Sequence, residues 1–314
     1  MINDIFVRAR KSIPVIPDRY IWGTGSTFFG QIGNGIMAYG FTQIGTLTNW
    51  SSISIGPSHS IAIDNTYKIY STGPTESLLG RVLSYSSPVQ IGTLTNWYSV
   101  SSGLDYTMSI KTDKTLWGWG QNISGRLGTG NTTTYPSPVQ IGTLTNWSSV
   151  SARSHTMSIK TDGTLWGWGY NAFGQLGIGI SNFTDYSSPV QVGTLTNWSS
   201  VSVGEYHTMS IKTDGTLWGW GLNSNGQLGL GDTTGRQSPV QVGTLTNWSS
   251  VSSGTSYTMS IKTDGSLWGW GNNASGRLGT GNTTNYSSPV QIGTLIYWSS
   301  VSAGASHTMF LSST

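Results

Sequence analysis

A six-residue phrase, GTLTNW, recurs at near-constant spacing along this 314-residue chain and constrains its fold more than any other feature. Its tryptophans are Trp50, Trp97, Trp147, Trp198, Trp248 and Trp298, the last in the form GTLIYW, at intervals of 47, 50, 51, 50 and 50 residues. A second phrase, WGWG, begins at Trp117, Trp166, Trp218 and Trp268, with a worn copy (WGTG) at Trp22 and a nearly lost one (YSTG) at Tyr70. Self-similarity at this period marks a chain of supersecondary units, each too small to bury its own apolar face alone.

The unit at 197–246 reads NWSSVSVGEYHTMSIKTDGTLWGWGLNSNGQLGLGDTTGRQSPVQVGTLT. HTMSIK alternates side chains in strand fashion, Asp214-Gly215 supplies a positive-φ turn, and TLWGWG returns as the next strand. The same Asp-Gly pair recurs at Asp162-Gly163 and Asp264-Gly265. A Gly-rich loop then leads to SPVQVG, headed by Pro239 and suited to an edge strand. Four strand-like pieces per unit, with no long 3.6-residue period, predict an all-β fold: a β-propeller of six blades, each of four antiparallel strands. All 15 Trp fall in the two repeated phrases, which assigns them to packing between blades, with the bare Gly of WGWG admitting a neighbouring element. The last unit stops after HTMFLSST, and the first begins at Tyr20-Ile21-Trp22-Gly23 without its preceding half. The two halves complement each other, so the ring is expected to close by pairing a C-terminal strand near His307 to Leu311 with an N-terminal strand near Tyr20 to Gly25. Two segments result: an arm at 1–18 and a propeller at 19–314.

Hydrophobic residues make up 36% of the chain and charged residues only 9%, so its polar surface is expected to be Ser, Thr, Asn and Gly. The formal charge of +3 is concentrated in the arm, where Arg8, Arg10 and Lys11 outweigh Asp4. The bland body makes nucleic acid an improbable partner. With no cysteine, neither a disulfide framework nor a thiolate metal site is possible. The first twenty residues lack the apolar run of a secretory signal, and no stretch approaches a membrane span. Ordinary secretion and membrane insertion are therefore not expected.

The repeated phrases resemble the regulator of chromosome condensation repeat family: Gly169-Tyr170-Asn171 with Gly174-Gln175-Leu176-Gly177, then Pro189-Val190, then Val201 to His207. The resemblance covers about residues 19 to 314 and implies a β-propeller. That family usually has seven blades against six here, with the second unit degenerate at Pro74 to Leu83. Its founding chromatin-associated member is a nucleotide-exchange factor for a small GTPase. The near-uniform period here leaves no room for a wedge-like insertion, so no exchange residues carry over.

His59, His155, His207 and His307 share one repeat position with Tyr106 and Tyr257. Equivalent residues serve equivalent packing, so a structural role is expected and no metal or cofactor. No serine is marked as activated by a neighbouring base, and the two glutamates, Glu76 and Glu205, belong to separate units; enzymatic activity is not expected. Variation between units concentrates after GQLG, at 131–136, 180–187, 232–237 and 282–287, where Tyr135, Phe183, Tyr186, Arg236 and Tyr286 are candidate contact residues. Surface drift explains the same variation nearly as well. The arm mixes Ile2, Ile5, Phe6 and Val7 with Arg8, Arg10 and Lys11, a composition suited to docking.

Together these features point to a non-enzymatic structural or binding propeller located in a virion, as a tail, fibre or capsid-decorating component. The arm would hold it to other virion or scaffold proteins, leaving loops free for a host-surface protein or glycan. The alternatives are a cellular adhesion or scaffold module, extracellular or at the cell surface, and a chromatin-associated or small-GTPase regulator within the cell.

Overall fold

The computed structural model describes residues 4–8, 20–25, 38–43, 47, 49–57, 59–74, 84–179 and 183–312. The chain divides into two compact units, residues 1–123 with 132–152, and residues 124–131 with 153–314. In the first, β1 (Asp4–Arg8), β2 (Tyr20–Gly25) and β3 (Ala38–Gln43) form a three-stranded sheet in that order. Two four-stranded sheets follow: β4 (Trp50–Ile55), β5 (Ser60–Asp64), β6 (Ile69–Pro74) and β7 (Ser84–Gln90), then β8 (Trp97–Ser102), β9 (Tyr106–Lys111), β10 (Leu116–Gly120) and β11 (Tyr135–Gln140). β12 (Trp147–Ala152) completes this unit.

The second unit holds β13 (His155–Lys160), β14 (Leu165–Gly169) and β15 (Tyr186–Gln191), paired in sequence. Next come β16 (Trp198–Val203) to β19 (Arg236–Gln241), with β17 (His207–Lys212) and β18 (Leu217–Gly221) between them. The last four-stranded sheet has β20 (Trp248–Ser253), β21 (Tyr257–Lys262), β22 (Leu267–Gly271) and β23 (Tyr286–Gln291); β24 (Trp298–Ala303) and β25 (Thr308–Ser312) form a hairpin. Among the described residues, β4 to β23 thus supply five sets of four antiparallel strands in repeat succession, beside the three-stranded sheet of β1 to β3 and the hairpin of β24 and β25.

One expectation is corrected at β2. The edge assigned to the C-terminal strand is occupied by β1, with Phe6 opposite Trp22 and Val7 opposite Ile21. The physical reason is proximity along the chain: closing the short loop between β1 and β2 costs about 3 kcal/mol less entropy than closing a loop of the whole chain. The arm therefore contributes Ile5, Phe6, Val7 and Arg8 to a sheet, whereas Ile2, Arg10 and Lys11 lie outside the described residues.

Each repeat folds through its own short-range chemistry. In the β17–β18 hairpin, Gly215 (φ 77°) donates its N–H to the Lys212 carbonyl at 2.9 Å. Asp214 Oδ1 accepts from the Thr216 backbone N–H at 3.0 Å and from its hydroxyl at 2.6 Å. The Thr216 hydroxyl in turn accepts from Trp218 Nε1 at 2.8 Å. Lys212 Nζ lies 3.6 Å from the centre of that indole. The motif K-T-D-G-T-L-W is thus one local network, repeated at Lys160, Lys262 and Lys111.

The buried Trp198 meets Trp218 and Trp220 edge-on, with ring centroids 6.1 and 5.9 Å apart, and Trp248 meets Trp268 and Trp270 in the same way. The Gly between paired tryptophans faces its own blade: a Cβ at Gly219 would lie 2.9 Å from Met209 Sδ, its cross-strand partner. The close approach between repeats occurs instead at the last Gly of GQLG. A Cβ at Gly177 would lie 2.6 Å from Trp220 Nε1 of the next repeat. Above it, the Gln175 carbonyl accepts from Trp220 Nε1 at 2.9 Å and from the Thr208 hydroxyl at 2.8 Å. Gln227 does the same for Trp270 and Thr258, and Arg126 for Trp168 and Thr156. At the inner strands, Ser202 Oγ accepts from Ser253 N and Ser252 Oγ from Ala303 N, both at 2.9 Å.

The polar composition is correspondingly internal as well as external. Thr156, Thr208, Thr258, Ser158, Ser210 and Ser260 are fully buried, so low charge does not by itself describe the surface.

The Asp-Gly turn makes a paired prediction. Gly215→Ala would hold Ala in the left-handed region and put its Cβ 2.1 Å from the Thr246 carbonyl oxygen, so chemical denaturation is expected to show a loss of about 2 kcal/mol or more. In the repeat that begins at Trp97, Lys114 occupies the same turn position with φ 66°. Lys114→Gly is expected to raise stability by up to about 1 kcal/mol, and a loss there would contradict the account of the turn.

Candidate functional site

Four of the five loop candidates open a strand. Tyr135, Tyr186, Arg236 and Tyr286 are the first residues of β11, β15, β19 and β23, opposite Gly120, Gly169, Gly221 and Gly271. Tyr186 and Tyr286 pack against the core, and Arg236 pairs with Asp232 at 2.6 Å. Phe183 stays in its loop, 48% exposed. The structure therefore separates Phe183 from four residues that share a repeat-equivalent position.

The histidines at the start of the second strand are structural in geometry. His59, His155 and His207 are fully buried. Their Nε2 atoms meet Thr107, Thr208 and Thr258 of the following repeats at 3.1, 2.7 and 3.1 Å. The Thr208 and Thr258 hydroxyl protons already go to the Gln175 and Gln227 carbonyls. Nε2 must then be the donor at His155 and His207, which assigns a neutral ring protonated on Nε2. Desolvation pushes the pKa of His59 down to about 4 and those of His155 and His207 down to about 3. At His207 the ring rests on Gly204, where a Cβ would fall 2.2 Å from ring Cε1. Tyr257 takes the histidine place in its repeat, its hydroxyl 3.0 Å from Thr308 Oγ1.

The place where repeat equivalence breaks most sharply is the turn before this histidine. From the GTLTNW tryptophan to the His or Tyr is nine residues in five repeats (198 to 207, for example) but eight from Trp147 to His155. Gly204 N–H reaches the His207 carbonyl at 2.8 Å around Glu205 and Tyr206, whereas Arg153 N–H reaches the His155 carbonyl at 3.0 Å around Ser154 alone. The shortened turn puts an Arg where the other repeats have Gly and directs it across its neighbours. Arg153 Nη2 donates to Thr255 Oγ1 at 2.9 Å, 102 residues onward, and Ser154 Oγ donates to the Glu205 carbonyl. Turns from three successive repeats therefore meet.

Beside them stand three aromatic rings. Tyr206 lies 5.0 Å from Phe173 and 5.9 Å from Tyr170, centre to centre, and Phe173 is 37% exposed. Burial first, and the charge of Glu205 second, raise the Tyr206 pKa. The other repeats have Ser124, Asn225 and Ser275 in place of Phe173, and Asp105, Ser256 and Ser306 in place of Tyr206. Sequence reasoning looked for variation only after GQLG and missed this cluster. The signal was present in the eight-residue spacing, but a loop two residues longer at 180–187 than at 232–237 conceals it in the overall period.

The histidine geometry sets a pH dependence. A folded-state pKa below the unfolded value of 6.5 means that the unfolded chain binds more protons, so stability is complete above about pH 6.5 and falls as pH drops toward 4 and then 3. Each titrating histidine contributes a slope of about 1.4 kcal/mol per pH unit within that window. His207→Tyr, which copies the residue at Tyr257, is expected to flatten the decline in melting temperature between pH 6.5 and 4.5. Equal slopes for variant and parent would refute the assignment.

Residues 113–159, 162–211, 214–261 and 264–311 match the Regulator of chromosome condensation (RCC1) repeat, and residues 198–227 and 248–277 match a second form of it. No curated protein matches the chain in sequence. Human WBSCR16 superposes with a TM-score of 0.83 at 18% identity, over 95% of this chain and 82% of that one. Prp20p of Saccharomyces cerevisiae, a structure described together with binding to Gsp1p and histones, gives 0.81 at 16% identity, over 93% and 77%. The same yeast protein bound to Kap60 gives 0.79 at 17%, over 92% and 75%. At these identities the likeness shows the fold, an all-β propeller. The four matched repeats span more than half of the sequence, and the chain belongs to the regulator of chromosome condensation (RCC1) repeat family.

Proposed function

We propose that this chain is a non-enzymatic, protein-binding propeller of the regulator type, and that its partner surface includes the cluster of Arg153, Tyr170, Phe173, Glu205 and Tyr206. The observation that carries the reading is the convergence of non-repeating residues, with Phe173 and Tyr206 at positions that hold Ser, Asn or Asp elsewhere. Partly exposed aromatic rings beside an Arg have the composition of an interface centre. The neighbours support the same class of role, since yeast Prp20 is described with Gsp1p, histones and Kap60 as partners. The histidines, which a catalytic reading would use first, are engaged in contacts between repeats.

The regulator alternative accordingly replaces the virion placement as the leading reading. The low-charge argument behind that placement weakens because much of the Ser and Thr is buried and hydrogen-bonded. Phe183 and the arm remain candidates for secondary contacts.

The test compares cross-linked partners recovered from source-cell extract by the parent chain, by Phe173→Ser/Tyr206→Ser and by Phe183→Ser. The double variant is expected to lose its main partner at least tenfold while keeping its circular dichroism spectrum and a cooperative melt. If the double variant keeps that partner and Phe183→Ser loses it, the proposed surface is wrong.

A further inference from the structure

The Arg153 guanidinium is incompletely satisfied. It is half-buried, and its one side-chain hydrogen bond goes to a neutral hydroxyl, that of Thr255. Its Nε is sealed from solvent without a partner. Among the described residues the only ion pair is Arg236 with Asp232, so no carboxylate closes on Arg153. Burial lowers its pKa, opposed first by the charge of Glu205. A desolvated cation is costly unless paired, and Glu205, whose charge acts on Arg153, does not complete the pair. Other cations do not supplement it. Lys160, Lys212 and Lys262 are stacked on tryptophans. Arg277 Nη1 is bonded to the Ala305 carbonyl at 2.8 Å.

We propose that Arg153 and the rings of Phe173 and Tyr206 form a recognition site for a side-chain carboxylate flanked by an aromatic residue in a partner protein segment. The inference rests on the protein-binding reading above and specifies the chemistry of its partner. A carboxylate matches the Nη1 end of the Arg153 guanidinium, which is not sealed as Nε is, and an adjacent aromatic side chain finds the Phe173 and Tyr206 rings. A phosphate is the poorer match, because one guanidinium with Glu205 alongside leaves its second charge uncompensated. A cationic segment would meet the like charge of the Arg153 guanidinium.

The test uses the full chain and four acetylated, amidated peptides of sequence GSFEFSG, GSFQFSG, GSFKFSG and GSFSFSG with its central serine phosphorylated, titrated by amide NMR. The Glu peptide is expected to bind at least tenfold more tightly than the Gln peptide, with shifts centred on Glu205, Tyr206 and Thr255. Arg153→Gln is expected to abolish that preference, and Glu205→Gln, which removes a repelling carboxylate, to tighten Glu-peptide binding several-fold. The second variant keeps the test decisive if Arg153→Gln fails to fold. A preference for the Lys or phosphoserine peptide, no preference between Glu and Gln, weaker binding in Glu205→Gln, or no binding at 5 mM on the order of the weakest useful affinity would each overturn the site chemistry. The protein-binding reading would still stand if partner recovery remained sensitive to Phe173→Ser/Tyr206→Ser.

Discussion

A single backbone carbonyl in each GQLG or GRLG turn governs how one repeat meets the next. At Gln175 it accepts both an indole N–H and a threonine hydroxyl from the following repeat, and the same hydroxyl accepts from His155. Two recurring letters of the repeat, the last Gly of GQLG and the Thr of HT, are thereby explained by one contact. Gly177 must lack a Cβ for Trp220 to reach the carbonyl, and the threonine must be a hydroxyl for the histidine to have an acceptor. Leaving any member unpaired in so buried a place would cost on the order of 1–3 kcal/mol.

The fold was largely legible because its determinants are local and recur. Asp214-Gly215, Trp218 and Lys212 interact within seven residues of one another, so their spacing can be read directly from the letters. The closing edge was not legible in this way, because strand pairing depends on which segment reaches the edge first and not on a side-chain code. The arm's apolar and β-branched residues carry no mark that directs them to β2.

The candidate surface was legible only in part, for a different reason. Tyr135, Tyr186, Arg236 and Tyr286 vary in identity yet occupy one strand-opening position, so variation there is tolerated by the architecture. Arg153 differs in kind. It follows from a missing residue, and a missing residue leaves no letter to notice. Its reach to Thr255 crosses an entire repeat, a distance that no window of local sequence contains.

The shortened turn at Arg153 also bears on how the chain finds its register while folding. Repeats that share the same carbonyl contact, tryptophan and threonine are interchangeable partners: the hairpin carrying Trp220 presents to Gln175 the same groups that Trp270 presents to Gln227. Near-identical units invite mispairing and exchange between copies. Ser154 and Glu205, and Arg153 and Thr255, interlock only when the repeats beginning at Trp147, Trp198 and Trp248 stand in their native succession. The irregular turn thus serves as an indexing mark, distinguishing the correct neighbour from an equally sticky wrong one.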